Sequence, residues 1–218
     1  MKRRHEELED AGESRVTPIP GHPSGPTLNN SWRVFCAVDL SDSVRERLMQ
    51  HVTRLREAVP GSGASWSQEG NIHLTLKFFG DTQRLRISDL TEATSRSVKG
   101  KTPFKIVVEQ PGAFPKLEAP RVLWIGVTDE SGELSVLKQH LEDECAKVAF
   151  VREERSFHPH LTIARLREPG DGRALAAAHK ELGFEPSEVV VSELKVIRSE
   201  LSSHGAKYTV ISRHPLGS

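Results

Sequence analysis

The chain has 218 residues with 30 basic and 30 acidic side chains, so its formal net charge is zero. Such a balance excludes a protein that coats nucleic acid through its overall field, while leaving room for a local basic cleft. The length can bury one sizeable core, which predicts a single two-lobed domain rather than two independent ones.

Residues 1–31 differ from the rest. Charged side chains crowd the first 15 positions, and a Pro-, Gly- and Ser-rich run follows from Thr17 to Pro26. Too little apolar surface is present to offset the ordering entropy, so a flexible tail is expected, with the domain occupying 32–218. Lys2-Arg3-Arg4 either touches RNA or is simply solvated. Met1–Glu7 does not lead into a signal-peptide core, and no run approaches the roughly 20 apolar residues that span a bilayer. Cys36 and Cys145 lie among apolar neighbours, as reduced core residues do. A cytoplasmic protein without membrane contact is expected.

From Arg33 onward, strand-like and helix-like segments alternate. Arg33–Asp39 reads as a strand. A helix is predicted over about 41–59, with Val44, Leu48, Val52 and Leu55 on one stripe. Then comes His73-Leu74-Thr75-Leu76, in which histidine and threonine, two apart, share one face of a strand while leucine points into a core. A polar helix over about 86–98 and a strand at 104–108 follow. The order then repeats. Arg121–Val127 resembles Arg33–Asp39 at an offset of 88, and a helix over about 133–149 carries Leu134, Leu137, Leu141 and Cys145. His160-Leu161-Thr162-Ile163 lies 87 residues after the first motif. A helix over 172–182 closes at Gly183, a fitting C-cap. Strands at about 189–198 and 207–212 follow, with Ser203–Ala206 as their hairpin loop. Trp66 and Trp124 read as apolar anchors.

A repeat of this length signals duplication of one supersecondary unit. The fold class expected is α+β: two antiparallel β-sheets, each backed by helices, around a central cleft with pseudo-twofold symmetry. Two imidazoles facing one cleft supply a base and an acid near neutral pH. Two hydroxyls beside them supply donors for charge that develops on a phosphate. These are the parts needed to cleave a phosphate diester without a metal. A metallohydrolase using His73, His158 and His160 is the competing chemistry, but neither motif contains an Asp or Glu and threonine is a poor zinc ligand. A non-catalytic RNA-end-binding module would be served by Lys, Arg and aromatics without the histidine pair.

Three stretches carry a resemblance to a known family: Arg33–Leu40, Asn71-Ile72-His73-Leu74-Thr75-Leu76-Lys77-Phe78-Phe79-Gly80, and Phe157-His158-Pro159-His160-Leu161-Thr162-Ile163-Ala164-Arg165. In residue identity, order and separation they resemble the RNA 2′,3′-cyclic phosphodiesterases, historically the 2′-5′ RNA ligases, of the two-histidine phosphoesterase superfamily. The resemblance implies hydrolysis of terminal 2′,3′-cyclic phosphates on RNA to 2′-phosphates, with no cofactor and no metal. It implies His73 and His160 as catalytic residues, Thr75 and Thr162 as phosphate-binding hydroxyls, and 2′-5′ joining as a possible reverse reaction. His160 is read as base and His73 as acid, although the near-symmetric motifs do not fix this. Relatives in the superfamily act on 2′-5′ oligoadenylates, ADP-ribose cyclic phosphate or small-RNA 3′ ends, and the pocket loops decide among them.

Further candidates surround these four. Arg165 matches the arginine that ends the second motif and suits phosphate. Five residues past His160, however, a regular strand would turn it to the opposite face. Lys77 has the parity of His73 and Thr75 and is expected either to add positive potential to the cleft or to stand exposed. Phe35 either stacks a terminal base or packs in the core. His158, two before His160, either contacts substrate or is a bystander. His51 and His179 fall in no shared pattern. The partners implied are RNA with 2′,3′-cyclic phosphate ends or small cyclic nucleotides, bound by a monomer.

Overall fold

The computed structural model describes residues 30–166, 169–202 and 205–217. The tail expected over 1–31 falls almost wholly outside them, as do Ser203 and His204 of the expected hairpin loop. The elements in chain order are β1 (Ser31–Val38), α1 (Asp42–Ala58), β2 (Ser65–Trp66), β3 (Leu74–Gln83), α2 (Ile87–Val98), β4 (Phe104–Phe114), β5 (Val122–Thr128), α3 (Glu133–Lys147), β6 (His160–Arg165), α4 (Pro169–Leu182), β7 (Ser187–Val191), β8 (Glu193–Ser202) and β9 (Gly205–Pro215). They build two antiparallel sheets, ordered β3-β1-β8-β9 and β2-β6-β5-β4-β7. The expected duplicated α+β architecture is the one observed.

The repeat is stricter than the sequence alignment. Ala37 lies opposite Thr75 in the first sheet, and Trp124 lies opposite Thr162 in the second. The strands beside the motifs therefore correspond at an offset of 87, the same as the histidines, and not 88. The chain also divides differently at its end. The run expected as one strand over 189–198 breaks at Ser192. Its first part, β7, joins the second sheet, and its continuation, β8, joins the first. Buried side chains alternate before the break, at Ser187, Val189 and Val191, as on a strand with one face to the core; after it, β8 is buried on both faces from Leu194 to Ile197.

The helices cross over. α1 follows β1 of the first sheet, yet packs with α4, and its Arg47 Nη1 donates to Ser187 Oγ on β7 of the second sheet at 3.0 Å. α3 follows β5 of the second sheet, yet packs with α2 and β3 of the first. Each helix buries the stripe its spacing predicts: Val44, Leu48, Val52 and Leu55 on α1, and Leu134, Leu137, Leu141 and Cys145 on α3. The exchange joins both lobes into one apolar core.

A pair of buried histidines lies where α1 meets α4. His179 Nε2 is 3.0 Å from the Trp124 carbonyl, which only accepts, so this nitrogen carries the proton. His179 Nδ1 therefore accepts from His51 Nε2–H at 2.9 Å. The chain is satisfied only with His179 neutral. Burial, reinforced by His179 and Arg54, pushes His51 down to about 4. Burial also lowers His179, against hydrogen bonds to the Trp124 and Gly112 backbone. Groups depressed below their unfolded value of roughly 6.5 leave the native state with fewer bound protons than the unfolded state. Stability is therefore greatest above pH 6.5 and falls progressively as pH drops toward 4. Urea midpoints at pH 7.5 and 5 are expected to show this loss, and His51→Leu with His179→Leu is expected to reduce it, the remainder coming from the other depressed histidines, His73, His160 and His214.

Candidate active site

Both motif strands carry a β-bulge at the same place. On β3, Ala37 pairs with Thr75 and Cys36 with Lys77, leaving Leu76 as the extra residue. On β6, Trp124 pairs with Thr162 and Leu123 with Ala164, leaving Ile163. A bulge inserts one residue and so reverses the parity of the residues that follow it, on β3 as far as a second shift at Phe79. Leu76 and Lys77 are both buried, as are Ile163 and Ala164. The next residues, Phe78 and Arg165, are exposed on the face that carries the histidine and threonine.

This settles the parity of Arg165 and corrects that of Lys77. Arg165 returns to the side of His160, and its positive charge acts on both His160 and Tyr208. Lys77, expected in the cleft or exposed, is only 2% exposed and points to the helical side. There its Nζ donates to Glu142 Oε2 at 2.7 Å and to the Val151 carbonyl at 2.8 Å. Phe78 is the residue that faces the cleft instead, and it is the position related to Arg165 by the 87-residue repeat.

His73 immediately precedes β3. Its ring stacks on Phe35 at 4.6 Å and 21° between planes, and Tyr208 of β9 meets it edge-on at 5.2 Å. Phe35 is itself 3% exposed, so it supports the histidine from beneath and has no open face for a base. Burial pushes His73 down to about 4, against a hydrogen bond to the Asn71 backbone and aided by the Arg45 charge. The approach to His73 is pinned by Arg45, whose Nη1 donates to the carbonyls of Ile72 at 2.9 Å and Glu69 at 3.1 Å. Asp39 holds Arg45 in turn and also receives Lys195.

His160 begins β6. Its Nδ1 donates to the His158 carbonyl at 2.7 Å, which leaves Nε2 as the working nitrogen. His158 thus contributes its backbone, while its side chain is exposed. Asn71 and His158 stand two residues before the two histidines, so the repeat extends to the carbonyls that orient the rings. Phe114 lies edge-on to His160 at 5.0 Å, and Trp124 is 6.2 Å away between centroids. Burial lowers His160, against the His158 carbonyl and aided by Arg165 and His158.

The two motifs share one cleft. β3 and β6 touch, and Ser67 ties the second motif to the approach of the first. Its N–H donates to the Ile163 carbonyl at 2.9 Å and its hydroxyl to the Thr162 carbonyl at 2.8 Å. Tyr208 completes the link, with its ring on His73 and its hydroxyl within the field of Arg165 and Arg33. Sequence reading missed Tyr208, whose only signal was being the single tyrosine of the chain. It also read Trp124 as a plain anchor, whereas the indole lies beside His160 with its buried Nε1–H unpartnered among the described residues. No three His, Cys, Asp or Glu side chains converge into a metal-ligand set among the described residues.

Two sheets of one chain, each presenting a His-x-Thr pair to a common cleft, define the architecture of a two-histidine phosphoesterase. The profile of the 2′-5′ RNA ligase superfamily matches residues 40–202, and the chain belongs to that superfamily. It is 33% identical over 180 residues to the RNA 2′,3′-cyclic phosphodiesterase of Thermotoga maritima, covering 82% of this chain and 92% of that one. The protein of the same name from Methanothermobacter thermautotrophicus is 34% identical over 180 residues, covering 81% and 95%. Among solved structures, TT0787 of Thermus thermophilus superposes with a TM-score of 0.71 at 26% identity, over 84% of this chain and 97% of that one. Escherichia coli LigT complexed with 3′-AMP shares the fold, with a TM-score of 0.67 at 23% identity over 86% and 99%.

The wall behind His160 is sensitive to one atom. A Cβ on Gly112 would stand 2.2 Å from the Trp124 ring. Gly112→Ala is expected to push the indole off its seat, at about 1–3 kcal/mol of stability by the usual cost of overpacking. Urea unfolding would measure that loss, and a changed tryptophan emission would report the displaced ring.

Proposed function

We propose that this protein opens 2′,3′-cyclic phosphates at RNA ends, leaving a 2′-phosphate, by metal-independent acid–base catalysis from His73 and His160. The observation that carries this reading is the pairing register: regular alternation turns each histidine to the same face as its threonine, and the β6 bulge returns the Arg165 guanidinium to that face. The names of the relatives support RNA cyclic phosphate as the substrate class. Thr75, Thr162 and Arg165 donate to the non-bridging phosphate oxygens, where negative charge grows as water adds to phosphorus. One imidazole takes the proton of the attacking water. The other gives its proton to the departing 3′-oxygen. A 5′-hydroxyl in place of water would form a 2′-5′ linkage by the same two transfers.

The two environments favour His73 as the base, the reverse of the assignment expected from the sequence. Burial, which persists when substrate binds, is the main cause that holds His73 at about 4 and so keeps it neutral. His160 is lowered by burial as well, but Arg165 adds to the shift. A bound phosphate anion neutralises that guanidinium and lets His160 keep the proton it must donate. One chain supplies the whole cleft, which supports a monomer as the working unit. The free, buried Cys36 and Cys145 support a reducing, cytoplasmic setting.

The test is turnover of a short RNA with a 2′,3′-cyclic phosphate end in excess EDTA. Rapid release of a 2′-phosphate end is expected from the wild type. His73→Ala and His160→Ala should each lose about 10²–10⁴-fold in kcat, and Thr75→Ala and Thr162→Ala about 10²-fold. Activity that appears only with added metal would sink the mechanism. Sulfur in place of the 3′-bridging oxygen makes a leaving group that needs no proton, so it should rescue His160→Ala and not His73→Ala.

The pH dependence follows from the same shifts. kcat/KM requires one imidazole neutral and the other protonated in the free enzyme. With both histidines depressed, the profile should be a bell whose maximum lies on the acid side of pH 6.5. The kcat profile should move to higher pH, because bound phosphate offsets Arg165.

A further inference from the structure

Lys77, Glu142, Lys138 and Glu153 form a charged network between β3, α3 and the segment that leads into β6. Lys77 and Glu142 are buried, and so is Lys138. One oxygen of Glu142 accepts Lys77 Nζ at 2.7 Å and lies 3.4 Å from the Glu153 backbone N–H, while the other accepts Lys138. Lys138 also donates to Glu153 Oε2 at 2.9 Å, with its ammonium 5.9 Å from the centre of the Phe157 ring. Lys77 donates its second bond to the Val151 carbonyl at 2.8 Å. Apart from the Lys138–Glu142 bond within α3, every link ends either on the residue that follows the β3 bulge or on residues 151–157, just ahead of His158 and His160.

Stability alone is a poor reason for such an arrangement, since a buried ion pair adds little or nothing over well-packed apolar side chains. Its location is the informative feature. Lys77 can reach Glu142 only because Leu76 is bulged, so the pair holds the bulge in place. The same carboxylate anchors the segment that delivers the second motif. We infer that the Lys77–Glu142 pair is a positioning device that fixes the register of the two His-x-Thr motifs across the cleft. The inference rests on the proposed phosphodiesterase reading. Neither residue touches substrate; each acts through the bulge and through the 151–157 segment.

The experiment replaces both charges with apolar side chains of similar size, Lys77→Met together with Glu142→Leu. Lys138 keeps Glu153 as its partner. The thermal midpoint is expected to equal or exceed that of the wild type. On RNA with a 2′,3′-cyclic phosphate end, kcat should fall about 10–100-fold while KM stays within about threefold, as misplacement of reacting groups by an ångström predicts. The imidazole ¹⁵N resonances of both His73 and His160 should move, with those of His179 unchanged. A merely local structural role would leave His160 unmoved. Wild-type kcat in the folded double variant would overturn the inference, and so would unmoved His160 resonances. If that variant fails to fold, Glu142→Gln, which keeps the shape, decides: a loss of at least about tenfold in kcat upholds the inference, and full kcat overturns it. A wild type that does not turn over this substrate would sink the underlying reading, whereas an active wild type with an equally active double variant would sink only the positioning role.

Discussion

A strand alternates its faces, so a regular strand can present side chains to a cleft only at i, i+2 and i+4. The motif strands of this protein present them at i, i+2 and i+5, and the inserted residue, Leu76 or Ile163, makes that possible. Without the bulge, Arg165 would face the helices, where a guanidinium lacks water and phosphate alike. Lys77 would face the cleft, and the helical side would lose its partner for Glu142. The rest of the site depends on this local break in pairing. Because the break occurs at the same step in both strands, the cleft keeps a twofold frame. What it places at the two related positions differs: an exposed phenyl ring at 78 and a guanidinium at 165.

The exchange of helices explains why a duplicated chain folds as one body. Each half sends its first helix across to cover the partner sheet, so neither half could bury its apolar faces alone. Polar side chains mark both crossings. In the second sheet, His51 of α1 and His179 of α4 end on the Trp124 carbonyl, directly behind a wall of the His160 pocket. In the first, α3 supplies Glu142, itself held by Lys138, to Lys77 of the motif strand. Buried polar groups of this kind demand specific partners. They are well suited to fixing one helix orientation on a sheet that apolar packing alone would tolerate in several.

The sequence made the repeat, the two sheets and the two His-x-Thr pairs legible because each is written in local periodicity and identity. The features it hid were those that depend on pairing register. Parity counted along an unbroken strand put Lys77 with His73 and put Arg165 in difficulty. The bulge that resolves both is a relation between β3 and β1 and between β6 and β5, and no single strand encodes it. The division of 187–202 between two sheets was hidden in the same way, since two strand-like runs separated only by Ser192 look continuous. Tyr208 and Trp124 reach the site from strands distant in sequence. His51 and His179, 128 residues apart, could be joined only by the fold.

The two imidazoles have matching backbone anchors but unlike surroundings, and on the proposed mechanism that difference assigns their roles. His73 lies between the face of Phe35 and the edge of Tyr208, neither of which carries a negative charge. Burial is the main cause that favours its neutral form. His160 lies among Phe114, Trp124 and a charge, Arg165, that the substrate itself cancels. Its proton affinity therefore rises when a phosphate binds. On this proposal, a symmetric frame with asymmetric walls leaves one imidazole neutral at rest and ready to accept a proton, and makes the other a better acid when its substrate arrives. Acid and base are separated by what surrounds them, since the two motifs themselves are almost interchangeable.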